Sequence, residues 1–190
     1  YTNRQTTDNA NGNGLPELSA ELVIHSPSVT DEDVGQAIFD VVSIGERLVS
    51  GINGTAASST ISSEVLEQDW TVVWTKPNVT NLEITLDIVT ASGYDGREAI
   101  LTNVANYIGG TLPDGSPTPG LDVAEDVIVD ELERLVNSVD GVVGTATVTL
   151  DATGDGNDDT TTRADGLQAY EADKNEVAQV DTTTDVTINT

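Results

Sequence analysis

The chain has 190 residues, enough to bury roughly 70% of its unfolded surface without covalent staples. It has no cysteine and a single histidine, His25, which excludes thiol catalysis, zinc knuckles, iron–sulfur clusters and a disulfide scaffold, and argues against a Ser/His/Asp triad or a multi-histidine metal site. Thirty-three acids against seven bases give a formal charge of -26, which repels phosphate backbones and disfavours nucleic-acid binding.

Residues 1–15 are rich in Asn, Gly and Thr and read as a polar arm or linker. A strand follows over Ala20–His25, stopped by Ser26-Pro27. Thr30-Asp31-Glu32-Asp33 opens a helix with a capping-box pattern and three acids at the positive end of its dipole. Val34, Ala37, Ile38, Val41 and Val42 form its apolar stripe, and Gly45 ends it. A loop through Gly51-Ile52-Asn53-Gly54-Thr55 leads on to a strand, Trp70–Thr75, with both tryptophans and Val72 on one face.

After Lys76-Pro77 a second unit begins. Leu82, Ile84, Leu86 and Ile88 alternate with Glu83, Thr85 and Asp87, the pattern of a half-buried strand. Asp95-Gly96-Arg97-Glu98 caps a helix with the stripe Leu101, Val104 and Ile108, ended by Gly109-Gly110. A Pro/Gly-rich loop over Leu112–Gly120 precedes a third helix whose stripe is Val123, Val127, Ile128, Leu132, Leu135 and Val136. A strand over Val142–Leu150, an acidic insertion at 151–170 and a closing strand with Val186 and Ile188 complete the chain. This order predicts an α+β fold of two small helix-on-sheet units with antiparallel or mixed sheets, 16–77 and 78–190.

The acidic excess is spread along the chain, and only Lys76 and Lys174 are lysines. Molar salt shortens the screening length to about 3 Å and relieves self-repulsion, so the composition fits a halophilic protein. No apolar stretch approaches the roughly 18 residues of a membrane span, so no membrane partner is expected. There is no signal-like start, and Tyr1 is not an initiating residue, which fits a fragment or a processed product.

Chemistry-bearing patterns are few. His25 lies at a strand end and reads as an ordinary edge histidine. Glu131 with Glu133, or Asp122 with Glu125 and Asp126, have acid/base spacing, but 33 acids make such spacings inevitable and no nucleophile accompanies them, so no enzyme activity is expected. Asp151, Asp155, Asn157 and Asp159 place oxygen ligands as in the opening of a calcium loop, with Gly156 for the sharp turn. Thr162 stands where a bidentate Glu belongs, and the competing reading is a solvated acidic turn; calcium or another cation is possible there but none is required. Asn53-Gly54-Thr55 and Asn78-Val79-Thr80 match glycosylation sequons. Trp70 and Trp74 read as core before ligand-stacking residues.

From Glu21 to Asp151 the order of motifs resembles the middle and C-terminal domains of the baseplate J family of tailed viruses and contractile injection machines. The resemblance rests on Asp33-Val34-Gly35-Gln36-Ala37-Ile38-Phe39, the glycines Gly45 and Gly51, Thr71-Val72-Val73-Trp74-Thr75-Lys76-Pro77, the alternating Leu82–Ile88, Tyr107-Ile108-Gly109, Asp140-Gly141-Val142 and the closing Asn175-Glu176-Val177-Ala178. It implies a structural protein of the virion tail baseplate, surrounding the tail hub and contacting other baseplate, tail and fibre proteins and neighbouring copies of itself in a ring. No catalytic residue attaches to these motifs. The alternative is an extracellular calcium-dependent adhesion or cell-surface domain, resting on Asp151–Asp159. Contractile and non-contractile tails both remain open.

Overall fold

The computed structural model describes residues 2–3, 14–42, 46–63, 68–154, 156–163, 165–173 and 175–190. The fold is α+β, and the chain divides into two units, Tyr1–Asn78 and Val79–Thr190.

In the first unit, β1 (Thr2–Asn3) pairs antiparallel with β2 (Ser19–Glu21), and β2 pairs parallel with β3 (Leu48–Val49). The strand expected over Ala20–His25 is therefore short. Beyond Glu21 the chain continues as a single bridge, Val23 to Thr75, held by Ile24 N donating to Thr75 O at 2.9 Å and Thr75 N to Leu22 O at 2.8 Å. Of residues 14 and 15 at the end of the expected arm, Leu15 is fully buried.

Helix α1 (Asp31–Val41) starts where the capping pattern places it: Thr30 Oγ1 accepts from Asp33 N at 3.2 Å and donates to Asp33 Oδ2 at 2.7 Å. Its buried face is Val34, Gly35 and Ile38, whereas Ala37 and Val41 of the expected stripe lie outside it, Val41 80% exposed. The helix leans on Gly35, which rotates those two positions into solvent. It ends at Val42; Gly45, the expected terminator, lies outside the described residues.

The long elements of this unit are β4 (Thr55–Ser63) and β5 (Gln68–Lys76), paired antiparallel with Ser59 opposite Val72 and Thr55 opposite Lys76. The Ala/Ser/Thr run of β4 carries no apolar alternation, and no strand was expected there. Val34, Ile38, Ile61, Val72 and the fully buried Trp74 make the core. An exposed ion pair, Lys76 to Asp31 at 2.7 Å, adds no more than about 1 kcal/mol.

In the second unit, the strands are β6 (Asn78–Asn81), β7 (Glu83–Thr90), β8 (Gly110–Thr111), β9 (Pro117–Thr118), β10 (Val127–Ile128), β11 (Val142–Asp151), β12 (Thr161–Thr162), β13 (Gln168–Tyr170), β14 (Glu176–Asp181) and β15 (Val186–Asn189), with helices α2 (Arg97–Ile108) and α3 (Val129–Asn137). They form a mixed sheet β11-β7-β15, a sheet β6-β14-β8-β9 and an antiparallel sheet β10-β13-β12. The alternation in β7 is realised fully, with Leu82, Ile84, Leu86 and Ile88 buried against Ile100, Val104, Ile108, Leu132, Val136, Val148 and Leu150. Gly110 is required where β8 crosses β14, because its φ is 118° and a Cβ there would collide with the Val180 carbonyl.

Helix α2 starts within Asp95-Gly96-Arg97-Glu98 as expected, with Gly96 as its N-cap and Glu98 in the first turn, but no side chain closes the cap. One reading of this unit needs correction. The third helix is shorter than its apolar periodicity suggests. Val123 lies in a loop, and Val127 and Ile128 pair with Tyr170 and Ala169, with Ile128 N donating to Tyr107 Oη at 2.9 Å. Their backbone is committed to a sheet, so the helix begins only at Val129.

Candidate functional site

The acidic loop after β11 folds around one carboxylate. Asp151 is buried, and its Oδ1 accepts from Thr153 N at 2.9 Å, Thr153 Oγ1 at 3.2 Å and Gly154 N at 2.7 Å, while Oδ2 accepts from Gly156 N at 2.6 Å. Desolvation pushes this carboxyl up, but the N–H donors of Gly156, Gly154 and Thr153 outweigh it and hold the group below its ordinary value. Three donors converge on Oδ1 and one on Oδ2, so the carboxylate is engaged chiefly by its own loop. Asp159 is turned back to the strand, its Oδ2 accepting from Ala152 N at 2.8 Å and its N donating to Leu150 O at 2.8 Å. Asn157 is exposed, and Asp155 lies outside the described residues. Among the described residues no group of three or more His, Asp or Glu side chains is arranged to hold a metal ion.

The most enclosed ionisable group is one that strand patterning passes over. Glu21, at the end of β2, is fully buried. Its Oε1 accepts from Ile52 N at 2.8 Å, Asn53 N at 3.1 Å and Thr75 Oγ1 at 2.5 Å, and its Oε2 accepts from Asn53 Nδ2 at 2.5 Å. Thr75 Oγ1 in turn accepts from Gly51 N at 2.8 Å. Burial pushes the Glu21 carboxyl up, and the donors from Thr75, Asn53 and Ile52 together bring it below its ordinary value. The Asn-Gly turn is thus wrapped around a charge supplied from 32 residues away. A carboxylate that accepts from these four donors is stabilised as an anion, and it positions the 51–53 backbone.

A second enclosed acid, Glu176 at the start of β14, accepts from Tyr170 Oη at 2.6 Å and from Asp173 N at 2.9 Å. Burial, then the hydrogen bond to Glu176, pushes the Tyr170 phenol up to about 12. An open groove of about 770 Å³ runs beside the start of α2, lined by Asp95, Glu98, Thr102, Asn103, Ser138 and Asp140.

The acid pairs are dispersed into separate tasks. Glu131 holds Arg134, with Arg134 Nε donating at 2.9 Å. Glu125 accepts from Asp122 N at 3.0 Å, and Asp126 binds Arg163 at 2.5 Å while accepting from Ala172 N at 3.1 Å. His25 is half-buried beside the Val23–Thr75 bridge. Trp74 belongs to the core; Trp70 meets Phe39 with ring centroids 6.4 Å apart and planes tilted by 51°. Of the two sequons, Asn53 is buried with its amide on Glu21, whereas Asn78 is exposed.

No protein-family model matches the sequence, and no curated protein matches it either.

Proposed function

We propose that this chain is a structural component of a tailed-virus baseplate, of the baseplate J type and adapted to high salt. In this reading it sits in the virion, around the tail hub, and it contacts other baseplate and tail proteins and neighbouring copies of itself in a ring. The supporting observation is the placing of the Thr71–Pro77 motif. The strand that carries it ends at Lys76, and a second α+β unit with its own core begins at Val79. Two modest units in tandem present much surface relative to their interior, as suits a part built to be surrounded by others. The enclosed polar groups, Glu21, Asp151 and Glu176, are spent on fixing backbone.

The test is immunogold labelling of purified tailed particles from a halophilic host that encodes the chain, using antibody raised against the full chain. Label at the tail end supports the proposal. Label confined to the cell surface, with none on particles, refutes it and favours the adhesion alternative.

A further inference from the structure

Two strand edges stand out by what they lack. β4 is the outer strand of its hairpin and β15 the outer strand of the mixed sheet. Among the described residues, no backbone hydrogen bond reaches the open side of either strand. Natural sheets blunt such edges with charged residues, proline or bulges. Charged residues make up 21% of this chain, yet Thr55–Ser63 and Val186–Asn189 contain none, and no proline.

We infer that β15 of one copy adds to the open edge of β4 of a second copy, joining the mixed sheet to the hairpin. Three observations favour this occupant. Each copy carries a net charge of -26, so two copies approach most readily along strands that carry no charged side chain of their own; the carboxylates beside these two, Asp69 and Asp87, are held by Ser62 and Asn189. The residues of β15, Val186-Thr187-Ile188, are strong strand formers on a four-residue edge, whereas the uncharged outer strands β1, β3, β10 and β12 are two residues long and β6 is bounded by Asn78 and Asn81. The side-chain rows also match. Val186 and Ile188 face the core side of β15, as Ala57 and Ile61 do on β4, and both strands present hydroxyls outward at Thr187 and at Ser58 and Thr60. Pairing two different edges is a head-to-tail contact, which propagates into a closed ring or an open filament. The inference deepens the baseplate reading, and rests on it for the ring.

The chain has no cysteine, so introduced thiols report cleanly. Full-length Thr60→Cys and Thr187→Cys proteins are mixed in molar salt and oxidised, or treated with a short bismaleimide. Light scattering follows the assembly size of wild type, Thr60→Asp and Thr187→Asp, with circular dichroism as the folding control. Expected are a cross-linked heterodimer in the mixture and an association weakened by roughly tenfold or more in either Asp variant. Assembly of undiminished size in both Asp variants, without cross-linking, overturns the inference and leaves the ring reading standing. A wild-type chain that stays monomeric at every salt and concentration overturns the inference and the self-contact part of that reading together. Should an Asp variant fail to fold, the thiol mixture decides alone.

Discussion

A Cβ placed on Gly35 of α1 would lie 2.6 Å from the Cβ of Ser59 on β4. The helix therefore rests on the hairpin through a point where neither element has room to spare. Gly35→Ala improves helix propensity by about 1 kcal/mol but forces the contact apart, and overpacking of this kind costs about 1–3 kcal/mol. The expected outcome is a lowered melting point for Gly35→Ala and a larger drop for Gly35→Val. Ser59→Gly in the Gly35→Ala background should restore part of the loss, which thermal denaturation of the double variant checks.

Glu21 sets an acid limit on the first unit. Its folded pKa lies below the ordinary value of 4.5. The stabilisation is therefore complete above that ordinary value and is lost as pH falls through the lowered folded value. Glu21→Gln replaces one accepting oxygen with a donor facing the donors of Asn53, Ile52 and Thr75, at a cost of about 1–3 kcal/mol at neutral pH. Melting curves from neutral to acid pH should show wild type and variant converging towards the acid end; parallel curves would show that the carboxylate plays no such part.

Trp74 is fully buried among Val34, Ile38, Ile61 and Val72. Trp74→Ala is expected to cost about 3–5 kcal/mol, while Val41→Ser, at an 80% exposed position, should stay within about 0.5 kcal/mol. Chemical denaturation of both variants separates them.

Asp151 is turned onto backbone N–H groups of its own loop, and Asp159 onto Ala152 N, so the two carboxylates do not converge on a shared cation position. Calcium at millimolar levels is therefore expected to leave the melting temperature unchanged, whereas a ligand of the folded state would raise it. Asp151→Ala should lower the melting temperature, because three N–H groups of the loop lose their acceptor. Differential scanning calorimetry with and without calcium reads both effects.

Salt should govern the whole chain. With -26 charges and few cations to offset them, circular dichroism is expected to show loss of structure in dilute buffer and recovery in molar salt. Identical spectra in the two conditions would mean that the surface charge is tolerated without screening.

The elements legible in the sequence are those whose apolar residues report their own environment. Leu82–Ile88 alternates because one face meets the core, and Thr30-x-x-Asp33 announces a helix start that local bonds complete. β4 was not legible, because Ala, Ser and Thr at its positions suit a strand only once β5 and Gly35 lie against them. The false extension of α3 has the opposite cause. Val123, Val127 and Ile128 keep helical spacing by accident: Val123 lies in a turn, and a partner strand more than 40 residues later claims the backbone of Val127 and Ile128. Glu21 was hidden for a similar reason: it sits in strand context, and the four groups that make it a buried anchor lie 31 to 54 residues away. The Asp151 loop was visible as a cluster of oxygens, but which way those oxygens turn depends on backbone conformation that composition does not encode.

The enclosure of Glu21 has one more consequence. Dissolved ions weaken or strengthen forces only where they can reach, and this carboxylate is out of their reach. As salt is withdrawn, the acids on the outside begin to push one another apart, while the hydrogen bonds from Ile52, Asn53 and Thr75 to Glu21 draw their strength from contacts that dissolved ions do not enter. The first unit should therefore come undone from its rim inward, with the 51–53 backbone among the last parts to let go.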